Sequence, residues 1–514
     1  MTDTHSREQG DAIDLSMRIV RGELSASQAL DDALARVQAL NPTIGAVASV
    51  AEDAGRADAQ ARDRTLSGMD AQARAGLAAK QPFFGVPSLL KDLGTAARGV
   101  SSSMGSQLFG RLDWDHDCEL VARYKRAGLV FFGRSTSSEL GLSPTTESPS
   151  YGEPTRNPWN TAHSAGGSSG GAGAAVASGM VPLAHGGDGG GSIRIPASCC
   201  GVLGLKPSRG MMPLGPYRGE GWGGMTVDHV LTTSVRDSAA ALDATAGADA
   251  GAPYAAPARP DSYLALVQAA SRQPDAGPRL RIALLPHGSV GAVRDADVAA
   301  ALARIASALQ SLGHRVDEGE PAVTARETLE NMLPVIACNA ALSIARFVAR
   351  RGTGLKEGEL QPTVQSMVAY ARSIDGVAYA GHVDTMHTIT RRVARFFDGT
   401  QDGGAPFDLI LSPVLSEAPA RIGRFAMHWE DYLDYRLGDT GLIGYSPYAP
   451  LANLTGCPAI SIPFGLSTDG LPIGMQLMAP QGGEAVLLQV AAQLEAVHPW
   501  PRYAPVAAGV AAAL

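Results

Sequence analysis

The sequence predicts an α/β protein in which a sheet is covered by helices on both faces. Short apolar runs bounded by turn residues, among them GLVFFG, FDLILSP and AISIPFG, are too short for buried helices and fit strands buried on both sides. Between such runs lie stretches with helical periodicity, and strands alternating with helices build a sheet between helical layers. Size agrees: 514 residues, 45% of them hydrophobic and 18% charged, are enough for one large domain or roughly two to four smaller ones.

Taken in order, SASQALDDALARVQAL (residues 25–40) opens with a capping-box pattern, Ser25 and Gln28. It then places Leu30, Leu34, Val37 and Leu40 on one helical face before Asn41-Pro42, which is expected to stop the helix. GLVFFG follows as a strand. Residues 243–278 are rich in Ala, Pro, Gly and Asp with little periodicity and are expected to be a surface connection. RIALLP then reads as a strand, and Val298, Leu302, Ile305, Leu309 and Leu312 as a helix with Gly313 as C-cap candidate. HRVDEG, FDLILSP and AISIPFG complete the strands. No internal repeat is evident.

Charge and cysteine usage exclude several function classes. The net charge of -8 and the lack of any Lys/Arg-dense block argue against nucleic acid and a membrane surface, and leave a small molecule as the expected partner. Five cysteines without C-x-x-C spacing suggest neither a disulfide framework nor a zinc site. The N-terminal MTDTHSREQGDAIDL has no apolar core, and no run of about 18 apolar residues is found to span a bilayer. A soluble, cytoplasmic protein without a targeting signal is expected.

The chemistry centres on HGGDGGGSIR, residues 185–194, where five glycines surround one aspartate. Bare backbone of this kind serves close approach to a ligand or a positive φ. A phosphate cradle fails on spacing: no lysine follows the run, and Gly187, Gly189 and Ser192 miss the third glycine of a dinucleotide fingerprint. Two hydrolase patterns match. Gly166-Gly167-Ser168-Ser169-Gly170 satisfies G-x-S-x-G, which would make Ser168 an α/β-hydrolase nucleophile, but the preceding NPWNTAHSA reads as polar and turn-like instead of the strand an elbow needs. Ser88-Leu89-Leu90-Lys91 satisfies S-x-x-K without the S-D-N or K-T-G that accompanies it elsewhere. Lys91 follows the apolar FFGVPSLL, and burial there would lower its pKa.

Together with these pieces, GVPSLLKD, YGEPTRNPWN, GGSSGGAGAAVASG, GGDGGGSIRIPASCCGVLGLKPS and NLTGCPAISIPFG occur in an order that resembles the amidase signature family from about Ser25 to the end of the chain. AHGGDGGGSIRIPASCCGVLGLKPSRG is most similar to the branch holding the cyclic-dimer hydrolase of nylon oligomers and related bacterial amidases. The resemblance implies an α/β/α sandwich with a large mixed central sheet. Its expected organisation is a helical segment (1–60) packed on one signature domain (61–514), with a catalytic core at about 80–240 and a variable, substrate-lining region at about 250–440.

It also implies Ser192 as acyl nucleophile, Ser168 as a bridging serine on a cis peptide after Gly167, and Lys91 as general base. Backbone N–H groups of Gly189, Gly190, Gly191 and Ser192 would form the oxyanion hole, with Asp188 and Arg194 fixing the loop and Ser169 supporting Ser168 and Lys91. Such chemistry is physically sensible: a serine needs a neighbouring base, and the leaving nitrogen needs the proton back. The implied activity is hydrolysis of small aryl or alkyl amides, carbamates or nylon-type oligomers, with no cofactor or metal, by a monomer or homodimer.

An α/β-hydrolase-type esterase using Ser168 and an amidotransferase A-type subunit are the alternatives, and Ile195 in place of glutamine speaks against the latter. Gly187 and Gly189 replace larger residues usual in the family, so the loop is expected to be looser and the pocket slightly larger. Cys338, in VIACNAALSIARF, falls where relatives line the acyl pocket, although a buried helical cysteine is an equally good reading. His116, His163, His185 and His229 lack metal spacing and suggest local hydrogen bonding. Trp429, Tyr432 and Tyr435 suit either a substrate mouth or a core, and Cys199-Cys200 a buried pair.

Overall fold

Short, almost continuously apolar runs form the central strands, which are buried on both faces, and the fold follows from them. The computed structural model describes residues 10–285, 291–401 and 403–506. Its strands are β1 (Val47–Val50), β2 (Pro87–Lys91), β3 (Val130–Ser135), β4 (Arg156–Asn157), β5 (Asn160–Ser164), β6 (Leu183–Asp188), β7 (Leu203–Lys206), β8 (Val227–Thr232), β9 (Arg281–Leu284), β10 (Arg315–Glu318), β11 (Leu409–Pro413), β12 (Ala459–Leu466) and β13 (Pro472–Met478). Eleven of them form one sheet in the order β1-β3-β2-β6-β8-β7-β12-β13-β11-β9-β10; β4 and β5 form a separate hairpin. β2 runs parallel to β3 and β6, and β9 parallel to β10 and β11, while the strands between pair antiparallel, so the sheet is mixed.

Neighbouring residues of one strand enter opposite cores. Leu89, Phe132, Ala184 and Leu231 pack on one face, and Leu90, Phe131, Leu183 and Val230 on the other. The helices Ala26–Ile44, Gly170–Ala177 and Ala325–Arg351 cover the first face; Glu119–Arg126, Val235–Thr245, Ala296–Ser311 and Glu484–Val497 cover the second. The expected α/β sandwich with helices on both faces is the observed architecture.

Several local expectations change. The first long helix passes Asn41-Pro42 and ends at Ile44, closed by Gly45 at φ 65 whose N–H donates to Asn41 O at 2.8 Å. A proline in the last turn removes only one helical bond, and the left-handed glycine makes the stop instead. The stretch 243–278 holds a helix, Tyr263–Arg272, capped by Ser262 and held by Asp243, which accepts from the N–H groups of Tyr263 and Leu264. NPWNTAHSA contains the β4–β5 hairpin, so a strand does precede Gly166.

The helix Ala325–Arg351 corrects the statement that no long apolar run occurs. By length and composition it is apolar enough to cross a membrane, and part of it is buried in the protein. It packs on the helices Pro362–Arg372, Gly376–Phe397 and Ala449–Thr455. The boundary at residue 60 falls inside the helix Glu52–Ser67, and β1 is an edge strand of the main sheet, so the N-terminal segment is built into the domain. MTDTHSREQ lies outside the described residues.

Candidate active site

Lys91 is the last residue of β2. Two positions after Leu89, it shares Leu89's face of the sheet and points toward the helix Gly170–Ala177. Just before that helix comes the peptide Gly167–Ser168, which is cis as the resemblance implied. The two side chains meet: Lys91 Nζ donates to Ser168 Oγ at 2.8 Å and to Gly187 O at 3.0 Å. Both side chains are 1% exposed.

No carboxylate lies within ion-pair distance of Nζ among the described residues, and burial pulls the Lys91 pKa from 10.5 to about 7. Asp228 and Asp188, farther off, oppose that shift. Behind Lys91, its backbone N–H donates to His185 Nδ1 at 3.2 Å, and His185 Nε2 stands 3.8 Å from Asp228 Oδ2. An accepting Nδ1 leaves the ring proton of a neutral imidazole on Nε2, facing Asp228. His185 thus bonds the backbone of Lys91 from a strand distant in sequence.

The loop from β6 to the helix Arg194–Cys200 wraps around one carboxylate. Asp188 Oδ1 accepts from Gly191 N at 2.7 Å and Oδ2 from Ile193 N at 3.1 Å. Arg194 closes the pair with Nε to Oδ2 and Nη2 to Oδ1, both 3.0 Å, and reaches Asn453 Oδ1 and Gln476 Oε1, both 2.6 Å. The Asp188 pKa falls well below the usual carboxylate range: burial opposes ionisation, but the Arg194 charge and hydrogen bonds overcome it. Asp188 and Arg194 thus tie the loop backbone to one buried ion pair. Asn453 and Gln476 were not singled out, although Asn453 opens the NLTG motif; their contacts to Arg194 span 259 and 282 residues, beyond any local pattern.

Ser192 sits at the turn of this loop and lines a cavity with Gly190, Trp222 and Arg436. Its carbonyl accepts from Ser169 N at 3.2 Å, which holds it beside the Ser168 segment, and Ser169 Oγ donates to Gly187 O at 3.2 Å. Among the described residues the Ser192 hydroxyl makes no hydrogen bond, so the Lys91–Ser168 link is formed while the Ser168–Ser192 link is open. The N–H groups of Gly190 and Ser192 have no protein acceptor among the described residues. Gly191 departs from its expected role, since Asp188 already takes its N–H.

Packing also revises the loose loop. A Cβ on Gly189 would lie 2.6 Å from Trp222 Cε3, and one on Gly187 would run into Asp228 Oδ1. Gly187 is paired with Asp228 within the sheet. These glycines serve close approach, and the space a larger residue would fill is occupied by Trp222 and Asp228. Trp222 has a left-handed backbone, φ 52, as does Leu140 at φ 53 next to Gly141 on the cavity wall. Such conformations persist where the surroundings demand them.

Cys338 does not line the cavity. Its helix presents Leu329, Met332, Leu333 and Ile336 there, at the i, i+3, i+4, i+7 spacing of one face, and residue 338 is turned away, with Sγ 3.9 Å from Ala371 O. Tyr432 and Tyr435 are buried, and Tyr435 Oη donates to Ser143 Oγ at 2.9 Å. Cys199 and Cys200 are fully buried.

Residues 28–488 match the family model described as Amidase. The chain belongs to the amidase family. This amidase is 37% identical over 490 residues to the 6-aminohexanoate-cyclic-dimer hydrolase of Pseudomonas sp. (strain NK87), covering 93% of each chain. A solved structure of a 6-aminohexanoate cyclic dimer hydrolase superposes with a TM-score of 0.84 at 34% identity, over 96% of this chain and 98% of the other. A bacterial aryl acylamidase, at 24% identity, shares the fold with a TM-score of 0.84, over 97% and 98% of the two chains. The amidase is accordingly a hydrolase of amide C–N bonds.

Proposed function

We propose that this amidase cleaves its substrate through an acyl-enzyme on Ser192, with Ser168 and Lys91 relaying the proton. The observation that carries this reading is the buried Lys91 amine, without a carboxylate partner among the described residues and 2.8 Å from Ser168 Oγ, beside the loop bearing Ser192. A neutral amine offers a lone pair. Ser192 Oγ attacks the amide carbon while its proton passes through Ser168 to Lys91; the tetrahedral intermediate collapses as the same relay returns the proton to nitrogen and the C–N bond breaks. Water then releases the acid by the same route. Gly190 and Ser192 N–H groups, free of protein acceptors among the described residues, suit the oxyanion, with Gly189 as a third candidate. Gly167, Ser169, Asp188 and Arg194 act by holding this geometry.

Substrates would be small aryl or alkyl amides, with carbamates and nylon-type oligomers presenting the same carbonyl. The esterase alternative lacks its base: no histidine bonds Ser168 among the described residues, and Lys91 occupies that place. The test is hydrolysis of a simple anilide by the purified chain and by Lys91→Ala. Activity should fall by about 10²- to 10⁴-fold, the usual contribution of a general base; an unchanged rate at neutral pH would refute the relay.

A further inference from the structure

Among the described residues, Arg436 is the one charged side chain that reaches the cavity of Ser192, whose walls are otherwise apolar or uncharged. The guanidinium is held in place. Its carbon stands 5.4 Å from the Tyr432 ring centroid and 5.5 Å from that of Tyr435, and Nη2 donates to Leu142 O at 2.5 Å. It is not neutralised: no carboxylate lies within ion-pair distance among the described residues, and the buried Nε has no acceptor. Arginine carries five N–H donors in a rigid fork that fits a carboxylate in two parallel bonds. A positive charge at an otherwise uncharged cavity, with no carboxylate to balance it among the described residues, is costly, and a ligand anion relieves that cost.

We infer that Arg436 anchors a carboxylate carried by the substrate, so that the enzyme prefers amides bearing a free acid at a distance from the scissile bond, such as half-amides of dicarboxylic acids or N-acyl ω-amino acids. This rests on the Ser192 reading above. The alternative, that Arg436 only ties the Leu142 carbonyl to the helix Tyr432–Leu437, predicts no substrate preference.

The test compares kcat/KM for pairs matched in length: the mono-p-nitroanilides of glutaric and adipic acids against pentanoyl and hexanoyl p-nitroanilides, and N-acetyl-6-aminohexanoate against N-hexylacetamide. The first set places the charge on the acyl side and the second on the amine side. The acid should be favoured by at least about tenfold in one set, as charge-assisted hydrogen bonds allow. That ratio should fall to about one in Arg436→Met and survive in part in Arg436→Lys. Should Arg436→Met not fold, adipate should still inhibit the natural sequence competitively and more strongly than hexanamide. Equal rates for acid and neutral partners, with Ser192 still labelled by a fluorophosphonate, would overturn the anchor alone, as would a preference unchanged by Arg436→Met. No hydrolysis of any member, with Ser192 unlabelled, would overturn the acyl-enzyme reading and the anchor with it.

Discussion

At the scale of single residues, the proposed relay depends on one amine kept free of its proton. Burial brings Lys91 to about 7, so half of it is neutral near that pH and more above it. The kcat/KM of an anilide should therefore rise with pH and level off above an apparent pKa near 7. Asp228 opposes the shift from behind, across His185, where Arg218 and Tyr124 also sense its charge. Asp228→Asn removes a negative charge that favours protonated Lys91, so the acidic limb should move to lower pH; an unmoved or raised limb would show that Asp228 does not act on Lys91. Stability carries the opposite face of this shift. Between about 7 and 10.5 the unfolded chain holds the lysine proton and the folded chain does not, so raising pH stabilises the fold in that window. Lys91 was legible in the sequence because an apolar run ends on it. Arg436 was not, since its partners Leu142 and the Ser192 cavity come from distant segments.

At the scale of elements, the loop 188–194 is shaped by its own aspartate and by Arg194, which two distant side chains hold. Removing one member of a buried ion pair leaves a bare charge, at a cost of about 3–5 kcal/mol. Asp188→Asn should lower stability by that order in urea unfolding, and a loss below about 1 kcal/mol would contradict the framing role. Gly189→Ala drives a Cβ against Trp222 and should cost about 1–3 kcal/mol, as overpacking does, with a larger loss of activity because Trp222 lines the cavity. Amides of Gly186 and Gly187, inside the β6–β8 ladder, should be protected in hydrogen exchange; rapid exchange there would restore the looser loop. Periodicity revealed the helices with large apolar stripes, such as Ala296–Ser311. It missed Tyr263–Arg272, whose buried face rests on only Tyr263, Val267 and Ala270, and the β4–β5 hairpin, which has no apolar alternation.

At the scale of the whole molecule, one sheet joins both ends of the chain. β1 pairs with β3, and Asp11 accepts from Arg236 and Ser234 while Asp237 accepts from the N–H of Ala12. A chain starting at residue 61 should therefore lose cooperative unfolding or solubility, and a well-folded, active 61–514 fragment would contradict that. Strand order was beyond the sequence, because neighbours such as β7 and β12 are distant in the chain. What the sequence did contain was the spacing of Lys91, Ser168 and Ser192, and the fold sets the Ser168 segment between Lys91 and the Ser192 loop. All of the chemistry proposed converges on one hydroxyl. Treating the purified protein with a fluorophosphonate and mapping the adduct by mass spectrometry tests it most directly: the modification should sit on Ser192, and an adduct on Ser168 or Ser88 with Ser192 untouched would contradict it.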